Sequence, residues 1–153
     1  MRLSKLLAAA LLAAPLLASA ADVKGTFDVS AKVLPACTVS ATNVVIASYD
    51  AGAATATTDT GTISIACTKK TPYTTTLLSQ NNWTLKGTAG NTEVLNYQIF
   101  QGTSSTPWNG TSGWTASAPS KNAVAYKATV SIAATQDVAI DTYSDVVTVN
   151  VNY

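Results

Sequence analysis

Few side chains in this 153-residue sequence could do chemistry. Histidine is absent, so no imidazole is there to act as base, acid or metal ligand. The eight carboxylates are scattered: Asp22, Asp28, Asp50, Asp59, Glu93, Asp137, Asp141 and Asp145. A glycoside-hydrolysing pair would need two of them about 5–10 Å apart across a cleft. Asp141 and Asp145 could approach one another, but both sit beside an expected turn, where solvated carboxylates are common. There is no glycine-rich phosphate loop and no strand–helix unit to carry one. The two cysteines, Cys37 and Cys67, are an even count in a chain that reads as exported, so they are expected as one disulfide rather than as thiolate nucleophiles or zinc ligands. Three tryptophans, Trp83, Trp108 and Trp114, lie among Gly, Asn, Ser and Thr. Exposed, they could stack on sugar rings; folded back, they would cover an end of the core. The sum is a protein with no catalytic apparatus and no cofactor.

The elements that would hold these residues are strands. Thr and Val abound, and both are β-branched and stiff at χ1. Segments of period two recur, and none shows the 3.6-residue spacing of an amphipathic helix. The longest alternation is residues 23–33: Val23, Gly25, Phe27, Val29, Ala31 and Val33 share one face, and Pro35 ends it. Further strands are expected over 37–47, 62–68 after Gly61, 73–79 after Pro72, 83–87, 94–101, 124–133 and 144–153. Ile63, Ile65 and Cys67 alternate, which directs the Cys67 sulfur inward, where Cys37 could meet it. The last strand carries Val147, Val149, Val151 and Tyr153 on its apolar face. Residues 49–60 and 102–122 read as loops. Seven or eight short strands with turn-rich links predict an immunoglobulin-like β-sandwich.

The first 20 residues stand apart. Arg2 and Lys5 precede an apolar run over 6–17, and Ala18-Ser19-Ala20 forms a small-residue cleavage site. That order is a secretory signal peptide. The run is shorter than the roughly 20 apolar residues a membrane span needs. Removal of Arg2 and Lys5 leaves 9 − 2 = 7 basic residues against 8 acidic ones, a net charge of −1. A chain so nearly neutral has no basic stripe for nucleic acid or for anionic lipid.

Certain stretches resemble a known family. They are the alternating N-terminal segment leading to Cys37-Thr38-Val39; Gly61-Thr62-Ile63-Ser64-Ile65 before Cys67; Thr71-Pro72-Tyr73-Thr74; Leu95-Asn96-Tyr97-Gln98-Ile99; Trp108-Asn109-Gly110-Thr111; and Tyr143-Ser144-Asp145 before a Val-rich strand to Tyr153. In this order the chain resembles the spore coat protein U domain family, which includes subunits of archaic (Csu-type) chaperone–usher pili. It departs from the family at Lys70 and Asp141, where glycine is frequent, and around Trp108, which lacks the usual acidic residue.

The resemblance implies an incomplete sandwich completed by a donor strand. Its domains would be a signal peptide (1–20), a donor extension (21–35) and a pilin domain (36–153). Val23, Gly25, Phe27, Val29, Ala31 and Val33 would be the donor face, and Val147, Val149, Val151 and Tyr153 the acceptor side. The implied partners are other copies or related pilins, a periplasmic chaperone that could grip the carboxylate after Tyr153, and an outer-membrane usher, with a surface pilus as destination. Periodicity by itself leaves open whether 23–33 pairs within its own domain or in another. Two other functions share these features: a coat or matrix protein of the same fold, and a secreted carbohydrate-binding module, which would expose Trp108 or Trp114.

Overall fold

The computed structural model describes residues 21–88, 90–109 and 113–153. The expected signal peptide, 1–20, lies outside the described residues. The chain divides into two units, Met1–Lys32 and Val33–Tyr153. In the first unit the described residues, 21–32, form no strand, and all are exposed. Val23 is 96% accessible and Phe27 86%. The strand expected over 23–33 is therefore absent from the chain alone. Its alternation meets no edge, and an isolated extended segment has nothing to hydrogen-bond.

The second unit is built from strands. They are β1 (Cys37–Ala41), β2 (Thr57–Cys67), β3 (Pro72–Ser79), β4 (Thr84–Gly87), β5 (Val94–Gln101), β6 (Trp114–Ser117), β7 (Val124–Ile132), β8 (Tyr143–Ser144) and β9 (Val147–Asn152). Six form one antiparallel sheet in the order β1-β2-β7-β5-β4-β8, and three form another in the order β6-β3-β9. One core joins them. Ile63, Ile65 and Cys67 of β2, Leu95, Tyr97 and Ile99 of β5, and Ala128 and Ile132 of β7 meet Tyr73 and Leu77 of β3. Each set is spaced by two or by four, as one face of a strand requires.

Four differences from the sequence expectations have local causes. The strand expected over 37–47 stops at Ala41, because Thr42 Oγ1 accepts the Thr62 N–H at 2.8 Å in place of a backbone carbonyl and ends the ladder. β2 begins at Thr57, inside the expected loop 49–60, since its first half pairs with β7 through Thr57–Ile132 and onward. The loop expected over 102–122 contains β6, a four-residue edge strand too short to show periodicity. The last strand is two strands. β8 pairs with β4 in the larger sheet and β9 with β3 in the smaller, so the chain changes sheets at Asp145 and Val146. Tyr153 falls beyond β9 and is 60% exposed, off the apolar face assigned to it.

Trp108 is 3% accessible and its indole N–H donates to the Thr75 carbonyl at 3.2 Å, so it is a core residue and no sugar platform. Lys70 holds a φ of 66° in the β2–β3 turn. That left-handed region costs a Cβ-bearing residue roughly 1–2 kcal/mol, so glycine would sit there without strain.

Cys37 and Cys67 are bonded, 30 residues apart in sequence, and are directly opposed in the β1–β2 register. β1 is an edge strand, so the bond fastens the outermost strand of the sheet to its neighbour. Replacing both cysteines with serine should lower the unfolding free energy by about 3–4 kcal/mol, as the closed loop length implies. Urea denaturation of the oxidised protein and the double variant measures this, and a loss below about 1 kcal/mol would contradict it.

Candidate functional site

The site is a groove where two edges are left open. β1 is the outer strand of the six-stranded sheet, and β9 is an outer strand of the three-stranded one. The two lie close to each other across the sandwich. Among the described strands, β9 pairs only with β3 and β1 only with β2. In a seven-strand immunoglobulin sandwich one sheet runs A-B-E-D and the other C-F-G. Here β1-β2-β7-β5 follow the first order and β3-β9 supply C and F. No described strand takes the place of G beside β9.

An open cavity of about 680 Å³ lies there. Val147 and Val149 of β9 line one side, and residues 41–49 line the other. Its floor includes Leu77, Leu95 and Ile132, which are core residues. Apolar residues spaced by two along one wall suit an extended peptide whose side chains enter alternately.

Local contacts hold the 41–49 wall in position without strand pairing. The Thr42 N–H donates to the Thr62 carbonyl at 3.0 Å. At the far end the Tyr49 hydroxyl donates to the Ala133 carbonyl at 2.9 Å and accepts the Gln136 N–H at 2.8 Å. Between these anchors, Ile46 packs on the core while Val45 is 75% exposed. Gly61 allows the wall its close approach. A Cβ there would stand 2.8 Å from Val44 Cγ2 and 2.9 Å from the Thr42 carbonyl oxygen. The sequence marks Gly61 as the start of a strand, but it lies inside β2, and its role is to let another backbone pass.

A polar network closes one end. Asp145 Oδ2 accepts from Ser79 Oγ and from the Tyr97 hydroxyl, both at 2.6 Å. Its Oδ1 accepts the backbone N–H groups of Asn81 at 3.1 Å and Val146 at 2.8 Å. Four donors thus surround the carboxylate where the chain crosses between sheets. Burial, and then the bond to Asp145, push the Tyr97 phenol far above its usual range. In the core, burial and the 2.5 Å contact with the Tyr126 hydroxyl push the Tyr73 phenol up to about 12. Asp141 is engaged separately: Thr88 Oγ1 donates to it at 2.7 Å and holds its carboxyl below the usual range. Both carboxylates line the groove; Asp145 is held through both oxygens, whereas Asp141 is held through Oδ1 alone, by Thr88 Oγ1 and the Thr142 N–H. Among the described residues no group of His, Cys, Asp or Glu could hold a metal ion, and no helix is long and apolar enough to cross a membrane.

Of the residues expected to form the acceptor side, Val147, Val149 and Val151 are half-buried on the inner face of β9, and the first two line the groove. The expected donor residues Val23, Gly25, Phe27, Val29, Ala31 and Val33 are all exposed. Sequence reasoning missed the 41–49 wall and the Asp145 network. The wall was expected as the end of a strand over 37–47, but beyond Ala41 it pairs with no described strand. The network joins residues up to 66 positions apart.

Residues 23–150 match the family model of the Spore Coat Protein U domain. The chain belongs to this family. A chain of a solved complex is also similar to this spore coat protein U domain protein, at 29% identity and a TM-score of 0.61. It comes from the CsuC–CsuE chaperone–tip adhesion subunit pre-assembly complex of the archaic chaperone–usher Csu pili of Acinetobacter baumannii. The match covers 79% of the present chain and 40% of that one, so this chain spans less than half its length. No curated protein matches the chain.

Two outcomes follow from this geometry. Gly61→Val should force the 42–44 wall outward and destabilise the fold by about 1–3 kcal/mol, read by urea denaturation. Raising the pH should also destabilise it. An unfolded tyrosine ionises near pH 10, whereas Tyr73 holds its proton to about 12. The stability it contributes is therefore complete below pH 10 and is lost as pH climbs through 12. A denaturation series from pH 8 to 12 should be flat and then fall, and Tyr73→Phe should make the fall shallower.

Proposed function

We propose that this protein is a structural subunit of a secreted chaperone–usher pilus that polymerises by donor-strand exchange. The observation that carries the reading is the coexistence, in one sequence, of an apolar groove with an unpaired strand edge and an alternating segment with no strand to pair with. Residues 23–33 of one copy would lie beside β9 of the next. They would hydrogen-bond to the free β9 edge and seat Val23, Phe27, Val29, Ala31 and Val33 in the groove, with Gly25 where no side chain fits. Strand addition of this kind draws affinity from main-chain bonds and specificity from alternate side chains.

The same reading assigns the rest of the chain. Residues 1–20 would direct export to the periplasm, 21–35 would be the donor extension and 36–153 the pilin domain. A periplasmic chaperone would occupy the groove before assembly, as an open apolar edge invites aggregation until something covers it. An outer-membrane usher would pass the subunits to a cell-surface fibre that supports adhesion or biofilm formation. The protein would not be an enzyme.

Support for a donor acting in trans comes from how the extension is attached. The Thr68 N–H donates to the Ala36 carbonyl at 2.9 Å, and Thr68 Oγ1 to the Leu34 carbonyl at 3.2 Å. These bonds pin 34–36 beside Cys67, at the start of β1, whereas the groove wall begins beyond its end. A strand entering its own groove would have to reverse at once at the residues these bonds already hold.

Deletion of residues 21–34 provides the test. The truncated protein should fail to polymerise while remaining folded and binding a synthetic 21–34 peptide added in trans. Full-length mature protein should form long polymers, visible by electron microscopy, that survive an unboiled denaturing gel. Unfolding of the truncated protein with no rescue by peptide would mean that 23–33 is a resident strand, as in a coat or matrix protein.

A further inference from the structure

A second cavity lies on the opposite face of β5 from the groove. Leu95, Tyr97 and Ile99 point into the core, whereas Asn96 and Gln98 are exposed on the outer surface of the six-stranded sheet. Two irregular segments stand at the borders of this surface. One is the turn at Asn82 and Trp83, just before β4. The other is the stretch ending at Asn109, tied down where Pro107 bridges to Phe100. Together they shape an open cleft of about 530 Å³.

Its lining has a distinct chemistry. Asn82, Gln98, Asn109 and Ser131 supply neutral hydrogen-bonding groups, and Trp83 and Pro107 supply apolar surface. Among the described residues, no Lys, Arg, Asp or Glu lines it. Amides both donate and accept, so they match vicinal hydroxyls, which do the same. The side chains of Asn82, Gln98 and Asn109 make no hydrogen bond with another described residue. Asn96, by contrast, is bound to Gln136.

The backbone at the turn is a second observation. Asn82 and Trp83 have φ values of 56° and 64°. Asparagine tolerates that region, but for a bulky residue such as tryptophan it is an outlier. Trp83 is held there on both sides: its N–H donates to Ser79 Oγ at 2.7 Å and its carbonyl accepts the Tyr97 N–H at 3.1 Å. The half-buried ring packs against the core, 6.0 Å from that of Tyr97, at the border between the core and the cleft that Trp83 also lines. Strain held by surrounding bonds at a cleft is a mark of a site whose geometry matters.

We propose that the cleft on the outer face of β5 binds an uncharged saccharide, with Trp83 offering the apolar surface and Asn82, Gln98, Asn109 and Ser131 the hydroxyl contacts. An anionic sugar would find no cation in it. The site is on the face of β5 away from the groove, so the proposal holds whether or not the chain polymerises.

Saturation-transfer NMR on the mature full chain, which tolerates large assemblies, tests it. The probes are oligomers of glucose (α-1,4 and β-1,4), of mannose and of N-acetylglucosamine, with oligogalacturonate as an anionic control. At least one neutral oligomer should receive saturation. Its affinity should fall about tenfold in Gln98→Ala and in Asn109→Ala, the loss expected when binding weakens by one decade. Trp114→Ala, an exposed aromatic on the other sheet, should leave affinity unchanged. Gln98 is exposed and its removal should not disturb folding, which near-UV circular dichroism verifies. Transfer to none of the oligomers, transfer only to oligogalacturonate, or undiminished affinity in both amide variants would overturn the proposal.

Discussion

The free edge of β9 is the constraint on which the rest of this molecule turns. A strand with one unpaired row of N–H and C=O groups above an apolar groove is costly to leave in water and hazardous to leave exposed. Several features of the second unit either create that edge or keep it open. The chain crosses from the larger sheet to the smaller at Asp145, and the four donors around that carboxylate fix the crossing. β9 then runs beside β3 with its other side free.

The opposite wall is held apart by equally specific means. Had 42–49 continued as a strand, it would have followed β2 as an ordinary edge. Thr42 ends the ladder instead, Gly61 admits the close pass, and Tyr49 ties the far end to residues 133 and 136. The disulfide fastens the start of the same strand to β2. The groove is thus a built gap with anchored sides. This is the arrangement an incoming strand needs if its main-chain bonds, added to side-chain burial, are to exceed the entropy lost on ordering it.

The two faces of β5 carry different chemistry because a strand alternates. Leu95, Tyr97 and Ile99 belong to the core beneath the groove, and Asn96 and Gln98 to an outer surface of amides. The apolar face thus lies beneath the groove, while the amide face is turned outward. Trp83 stands at the border of both, packed on Tyr97 and lining the outer cleft.

Much of the core was legible from period two alone. Ile63, Ile65 and Cys67, Leu95, Tyr97 and Ile99, and Val147, Val149 and Val151 occupy the faces their spacing assigns, since a pleated strand leaves a side chain only two directions. The disulfide followed from an even cysteine count in a sequence that reads as exported. The wall at 42–49, the short edge strand β6 and the change of sheets at Asp145 were not legible, because each depends on a partner distant in sequence. The segment 23–33 marks the boundary between the two kinds of information. Its alternation determines that it can be a strand. Whether it is one depends on an edge to bond to, and only tertiary structure decides which edge stays unpaired.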